Sequence, residues 1–301
     1  MVDRVLRAAT RRSPLAIWQV THVADLLQAA HPGLTVEPVP LETEGDQRGD
    51  VPISEIGGKG VFAKEVQAAV LSGRADFAVH SAKDLPAVTV DGLDLASVPQ
   101  RGDSRDALVG ATLEQLPEGA TVATGSQRRR AQLARLRPDL VFVELRGNMA
   151  GRLAKVPPGG AIVVAAAAFQ RLGLQEHLDE VFEVDQMIPQ VGQGALAIEC
   201  RADDPDTRVL LETVEHHPTR RRVDAERAFL AELGGDCTLP AGAHARFEGV
   251  QDAGTLILDA FLATEGSASA RVALHQAAGD DPESLGTSVA RHLRSALGPP
   301  A

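Results

Sequence analysis

Residues 161–168 read AIVVAAAA, eight apolar residues with no polar alternation. Such a run suits a strand with both faces covered, as in a parallel sheet packed between helices. The sequence around it keeps to that pattern. Short apolar runs (VLRAAT at 5–10, LTVEPVP at 34–40, ADFAVH at 75–80, ALVGA at 107–111, TVATG at 121–125, VFVEL at 141–145) alternate with helix-patterned stretches. This alternation predicts an α/β architecture. Ser13 before Pro14 reads as a helix cap followed by the favoured first helical residue. Leu15, Trp18, Val23, Leu26 and Leu27 would form the apolar face of that helix.

The pattern changes near the end. TRRRVDAERAFLAELGG reads as a helix with Val223, Phe229, Leu230 and Leu233 as its core stripe. The strands AGAHARFE, TLILDAFLA and RVALHQ follow on loops too short for crossover helices, and DPESLGTSVARHLRSAL closes as a helix. That is a small α+β domain. Aromatic residues make up only 3%, so the cores must be built from Ala, Val, Leu and Ile. Residues 42–60 are polar, glycine-rich and aperiodic, a candidate lid.

A net charge of −11 argues against a general nucleic-acid binder, and so does the shortage of stacking aromatics. The N-terminus lacks the apolar run of a signal peptide, and no run is long enough to cross a membrane. Two distant cysteines form neither a disulfide framework nor a zinc pattern. A reduced, cytoplasmic setting is the expectation.

The cations are placed unevenly. Arg11 and Ser13 fall between a strand and a helix start. Arg128 and Arg129 lie in a first helical turn, where they oppose the helix dipole. Arg146 ends a strand, Arg152 lies in the next helix, Arg171 follows the 161–168 run, Lys83 follows a strand and Lys59 sits in the glycine-rich loop. Ligands of open α/β sheets bind at such ends, so the set points to a ligand with several carboxylates or phosphates. A solvated or salt-bridged basic helix face would give the same pattern locally. Asp84 is the one acid in SAKDLP; it is either a turn residue or a carboxylate that accepts N–H bonds and stabilises positive charge. Cys200 lies in a strand and reads as core. Cys237 follows a helix C-terminus and sits beside Asp236. Neither neighbour favours a thiolate, so Cys237 is an attachment point or a plain loop residue.

Taken in order, RAATRRSPLAIWQ, GGKGVFAKE, AVHSAKDLP, SQRRRAQLARLRPDL, LRGNMAGRL, FQRLGL, VGQGALAIECR, AERAFL and GGDCTLPAGAHA resemble the hydroxymethylbilane synthase, or porphobilinogen deaminase, family over nearly the whole chain. The resemblance implies two periplasmic-binding-protein-like α/β domains and a small C-terminal α+β domain carrying a cofactor cysteine. The boundaries would be 1–99 with 195–217, then 100–194, then 218–301, with GALAIECR as the strand returning to the first domain. It implies a monomeric transferase of porphyrin and heme biosynthesis, without metal, that condenses four porphobilinogen molecules on a dipyrromethane cofactor. By match, Cys237 is the thioether anchor and Asp84 the catalytic residue. Ser13, Lys83, Ser126, Arg128, Arg129 and Arg146 match cofactor positions, as Asp84 also does. Arg11, Arg146, Arg152 and Arg171 match substrate positions, and Lys59 matches a lid lysine. Three departures stand out. Gly125 replaces a usual serine, Asp236 replaces a usual glycine, and Arg130 adds a third consecutive arginine whose side chain is expected in solvent. Without Cys237 and Asp84, the same arginines would suit a two-lobed small-anion sensor.

Overall fold

The computed structural model describes residues 4–43, 63–234, 239–249, 252–264 and 270–298. The chain forms two compact units, residues 1–102 with 195–220 and residues 103–194 with 221–301. In chain order the elements are β1 (Arg4–Arg11), α1 (Pro14–Ala30), β2 (Leu34–Leu41), α2 (Lys64–Leu71), β3 (Phe77–Ser81), β4 (Leu93–Ser97), β5 (Asp106–Val109), β6 (Thr121–Ala123), α3 (Gln127–Leu136), β7 (Val141–Val143), α4 (Met149–Leu153), β8 (Ala161–Ala165), α5 (Ala166–Arg171) and β9 (Glu180–Val181). Then come β10 (Leu196–Arg201), α6 (Pro205–Glu212), α7 (His217–Glu232), β11 (Ala241–Phe247), β12 (Leu256–Ala263), β13 (Val272–Gly279) and α8 (Pro282–Leu297).

The two large sheets share one plan. The first has the order β2-β1-β3-β10-β4 and the second β7-β6-β8-β5-β9. In each, four strands point the same way, and the fourth in space runs against them; it is the strand on which the chain returns to the first unit and enters the second. β10 is antiparallel to both β3 and β4, and β5 is antiparallel to both β8 and β9. Both faces of each sheet are covered, as the unalternating apolar run requires. In the first unit Leu6, Val23, Leu27, Phe77 and Ile198 pack on one face. Ala9, Val66, Val70 and Ala78 pack on the other. In the second unit Leu108, Val122, Leu133 and Val163 form one layer, and Ala107, Ile162, Val164 and Phe169 form the other.

Two local expectations are corrected. The run 161–168 stays extended only to Ala165, and the remaining alanines open α5. Ile162, Val163 and Val164 are β-branched, whereas alanine is the strongest helix former, so the switch falls where the branching ends. The core stripe of α1 keeps the expected Val23 and Leu27 but adds Ala16 and Val20, while Leu15, Trp18 and Leu26 are only partly buried. Trp18 turns aside and stacks on His22 with ring centroids 5.0 Å apart.

The C-terminal sheet is an antiparallel meander, β11-β12-β13. Its core joins Phe229 and Ala225 of α7, Leu256, Leu258 and Ala260 of β12, and Leu285, Val289 and Leu293 of α8. The buried Glu226 accepts N–H bonds from Gly192 (2.7 Å) and Ala245 (2.9 Å), which ties α7 to β11. α7 and α8 meet at Gly286. A Cβ there would run into the Ala225 carbonyl oxygen and lie 2.7 Å from Phe229 N. Gly286→Ala should therefore lower stability by roughly 1–3 kcal/mol, the usual range for overpacking. A reduced urea midpoint with unchanged slope would show it, and an unchanged midpoint would refute the close-approach reading.

Candidate active site

β1 and β3 pair in parallel, so their carboxyl ends lie side by side, where α1 begins. A pocket opens there, lined by Arg11, Ser13, Gln19, His80, Ser81 and Asp84. The local reasons are visible residue by residue. Arg11 is the last residue of β1. Ser13 caps α1, its Oγ accepting from Ala16 N at 3.3 Å, with Pro14 next. Lys83 and Asp84 lie in a single 3₁₀ turn, Ala82–Asp84, that follows β3 directly. That turn is pinned by the Ala82 N–H donating to Ala195 O at 3.0 Å. Ser81 Oγ accepts from Gln19 Nε2 at 2.7 Å. Behind the pocket wall lies a buried polar set. His80 Nε2 is 3.1 Å from Glu199 Oε2, and Gln67 Nε2 donates to the same oxygen at 2.8 Å.

In the second unit the arginine pair has an internal partner that sequence reasoning missed. Asp106, at the start of β5, is fully buried. Its Oδ1 accepts from Arg129 Nε (2.9 Å), Arg129 Nη2 (2.7 Å) and Gln193 Nε2 (3.0 Å). Its Oδ2 lies 2.7 Å from Arg128 Nη2, an ion pair whose alignment is poor for a hydrogen bond. Arg129 Nη1 also donates to Val163 O (2.9 Å), and Arg128 Nη1 donates to Ile188 O (2.6 Å). Ser126 caps α3, its Oγ accepting from Arg129 N at 3.4 Å. The first-turn arginines thus have their unfavourable dipole position offset by a carboxylate of the chain itself. The signal was present in the sequence as an acid opening a strand whose four residues are all buried.

Burial alone would raise the Asp106 pKa, but the charges of Arg128 and Arg129 and the Gln193 bond outweigh it and hold it at about 2. Burial lowers the Arg128 pKa, and Arg129 beside it adds to that, against the pull of Asp106. Two guanidiniums share one carboxylate, and the Arg128 Nε–H is buried with no partner among the described residues. The strand after the cysteine loop reaches the same place. A Cβ on Gly242 of β11 would lie 3.0 Å from Arg128 Cδ and 2.7 Å from Pro189 O, so only glycine lets this strand lie against the arginine stem.

The other expected residues are dispersed. Arg146 lies three residues beyond the end of β7, with its Nε buried and unpartnered among the described residues. Arg152, in α4, donates from Nε to Gly147 O at 2.9 Å. Arg171 ends α5 and donates to Gly194 O at 2.7 Å, and burial lowers its pKa to about 10. Lys59, most of the 42–60 segment, Asp236 and Cys237 lie outside the described residues. Cys200 is in the core, and burial pushes its thiol up to about 11, with Asp204 and Asp94 adding to that. Arg130 is not a solvent residue. It donates to Glu144 Oε1 (2.8 Å) and to Thr124 O (3.3 Å). A Cβ on Gly125 would lie 3.0 Å from Glu144 Oε2, so the carboxylate that Arg130 holds is also a near neighbour of Gly125.

Residues 6–209 match the family model for the dipyrromethane cofactor-binding domain of porphobilinogen deaminase, and residues 220–295 match the model for its C-terminal domain. The chain belongs to the porphobilinogen deaminase family. Membership of the porphobilinogen deaminases makes it a transferase of porphyrin biosynthesis with a dipyrromethane-binding domain. Similar solved structures include the methionine-binding protein MetQ (14% identity, 70% of this chain and 88% of that one, TM-score 0.44). A TRAP periplasmic solute-binding protein from Desulfovibrio salexigens matches at 12% identity over 71% and 73%, TM-score 0.42. The BenM effector-binding domain with benzoate matches at 15% over 71% and 91%, TM-score 0.41. Likeness at this level adds nothing to the strand order described above. Among the described residues no helix is long and apolar enough to cross a membrane, and no His, Cys, Asp and Glu cluster could hold a metal.

The donor set fits a polycarboxylate such as dipyrromethane. Among the described residues Arg128 and Arg146 each keep a buried N–H unmatched, and the Arg128–Arg129–Asp106 cluster carries one surplus positive charge. Asp106→Asn would leave two buried guanidiniums without a counter-charge and should lower stability at pH 7 by roughly 3–5 kcal/mol. A depressed carboxylate pKa stabilises fully above the ordinary value near 4, and that contribution fades as pH falls towards about 2. About 1 kcal/mol, roughly half of the whole contribution, should already be lost at pH 3 in the parent protein and not in Asp106→Asn. Urea titrations at pH 7 and pH 3 measure both, and equal pH dependence in the two proteins would disprove it.

Proposed function

We propose that this chain is a hydroxymethylbilane synthase, which joins four porphobilinogen molecules head to tail and releases ammonia at each joining. The observation that carries the reading is the match of both family domains, in order, over nearly the whole chain. A pocket in the first unit lined by Arg11, Ser13 and Asp84 supports it, as does the desolvated cationic cluster around Arg128 in the second. In this reading the dipyrromethane, when bound, supplies the primer from which the product grows.

The roles of the chain's own residues follow from their chemistry. Cys237 would tether the primer through a thioether, and Gly242 supports this by bringing the strand after the cysteine loop against Arg128. Arg128, Arg146, Lys83, Ser13 and Ser126 would bind the primer's carboxylates, with Arg129 adding charge while its fork stays on Asp106. Arg11, Arg152 and Arg171 would receive substrate carboxylates, together with Arg146. Desolvation strengthens each such pair, as at the half-buried Arg171. Asp84 would accept pyrrole N–H bonds and stabilise the positive charge that develops when ammonia departs.

Intact-mass spectrometry should find the purified protein heavier than its sequence by one dipyrromethane, and Cys237→Ser at its bare mass. Asp84→Asn should keep the adduct while its turnover falls at least about a hundredfold. A parent protein at bare sequence mass, or Asp84→Asn at full turnover, would overturn the assignment.

A further inference from the structure

The pocket of the first unit contains a base that the roles above leave unused. His80, the penultimate residue of β3, lines the pocket that holds Asp84. Its side chain is 5% exposed, and that of Glu199 is 2% exposed. Glu199 reaches it diagonally across the antiparallel β3–β10 pair, in which Ala197 sits opposite His80 and Glu199 opposite Ala78. Gln67 of α2 holds the same Glu199 oxygen at 2.8 Å. The face carrying this set is otherwise built from small apolar residues, Ala9, Ala69 and Ala78 among them. A buried imidazole–carboxylate contact is a poor stabilising device, because apolar residues of similar size do as well or better. Its place in a pocket wall beside a carboxylate calls for another explanation.

Resting on the function proposed above, we propose that His80 accepts the proton released at each joining, with Glu199 as its positioning residue. Joining two pyrroles replaces a ring C–H bond by a C–C bond. The electron pair of the C–H bond returns to the ring, and the proton needs an acceptor. Asp84 is unsuited to that task, since a carboxylate that takes the proton no longer balances positive charge. His80 Nε2 lies 3.1 Å from Glu199 Oε2, a contact whose alignment is poor for a hydrogen bond, and the other ring nitrogen, Nδ1, is the one left to take the proton. The proton passes from His80 to the ammonia freed in the same turnover, which leaves as ammonium. Histidine held by a carboxylate is a common general-base arrangement. The charged groups around His80 are Glu199 from β10, Asp84 from the turn after β3 and Arg11 from the end of β1, while α2 contributes Val66 to the pocket and the neutral Gln67 to Glu199.

The test uses porphobilinogen carrying deuterium at its free ring α-carbon, with folding checked by circular dichroism. His80→Gln should lower kcat about a hundredfold, change KM by less than about threefold, and raise the deuterium effect on kcat to several-fold, because proton removal becomes limiting. Glu199→Gln should give about a tenfold loss with the same rise in isotope effect. It also serves if His80→Gln does not fold. Full turnover in His80→Gln, or a slow variant with no isotope effect, would overturn the proposal. A parent protein that consumes no porphobilinogen would instead sink the functional reading on which it stands.

Discussion

The second unit depends on one carboxylate. Asp106 gathers Arg128, Arg129 and Gln193 at the start of β5 and so joins three separate parts of the unit, β5, α3 and the segment before β10. Arg129 continues to the β8 backbone through Val163 O, and Arg128 to Ile188 O. Gln132 bonds Ile188 in both directions, and Ala243 of β11 donates to Pro189 O. A cation pair that would repel itself in a dry interior is thereby turned into a joint between α3, the large sheet and the C-terminal strand. Its electrostatics are inseparable from its packing, because the desolvation that makes the ion pair strong would make either charge intolerable alone. The overall acidity of the chain hides this, since the cationic surplus is local and buried.

Much of the architecture was legible in the sequence. The alternation of apolar runs and helical periods, and the shift to loops too short for crossovers, follow from rules local to each segment. The strand-to-helix switch inside AIVVAAAA was not, because apolar runs of either kind look alike. Only the change from β-branched residues to alanine marks it. The short β9 was invisible because its pairing partner, β5, lies about seventy residues away.

The site was legible more in its residue types than in its contacts. Arg11, Ser13 and Asp84 come together because parallel strands end at one edge, a consequence of topology. Asp106 and Glu199 were missed since an acid inside an apolar run gives no hint of which distant cation or imidazole it will meet. Gly125 and Arg130 looked like unrelated departures and prove to share Glu144. Pairings of that sort are written in three dimensions only.

The order β3-β10-β4 has a bearing on biosynthesis. β4 meets its sheet only through β10, which begins about a hundred residues later. A ribosome adds about 5–20 residues per second, so β4 waits roughly 5–20 s for its neighbour to be made. Throughout that interval the nascent chain exposes an unpaired edge on β3, a template for the wrong strand. A fragment ending before residue 196 should be a client for chaperones, and a stop codon there would yield an aggregating product rather than a folded half. The interleaving that completes the sheet thus makes the whole protein indivisible to the cell that translates it.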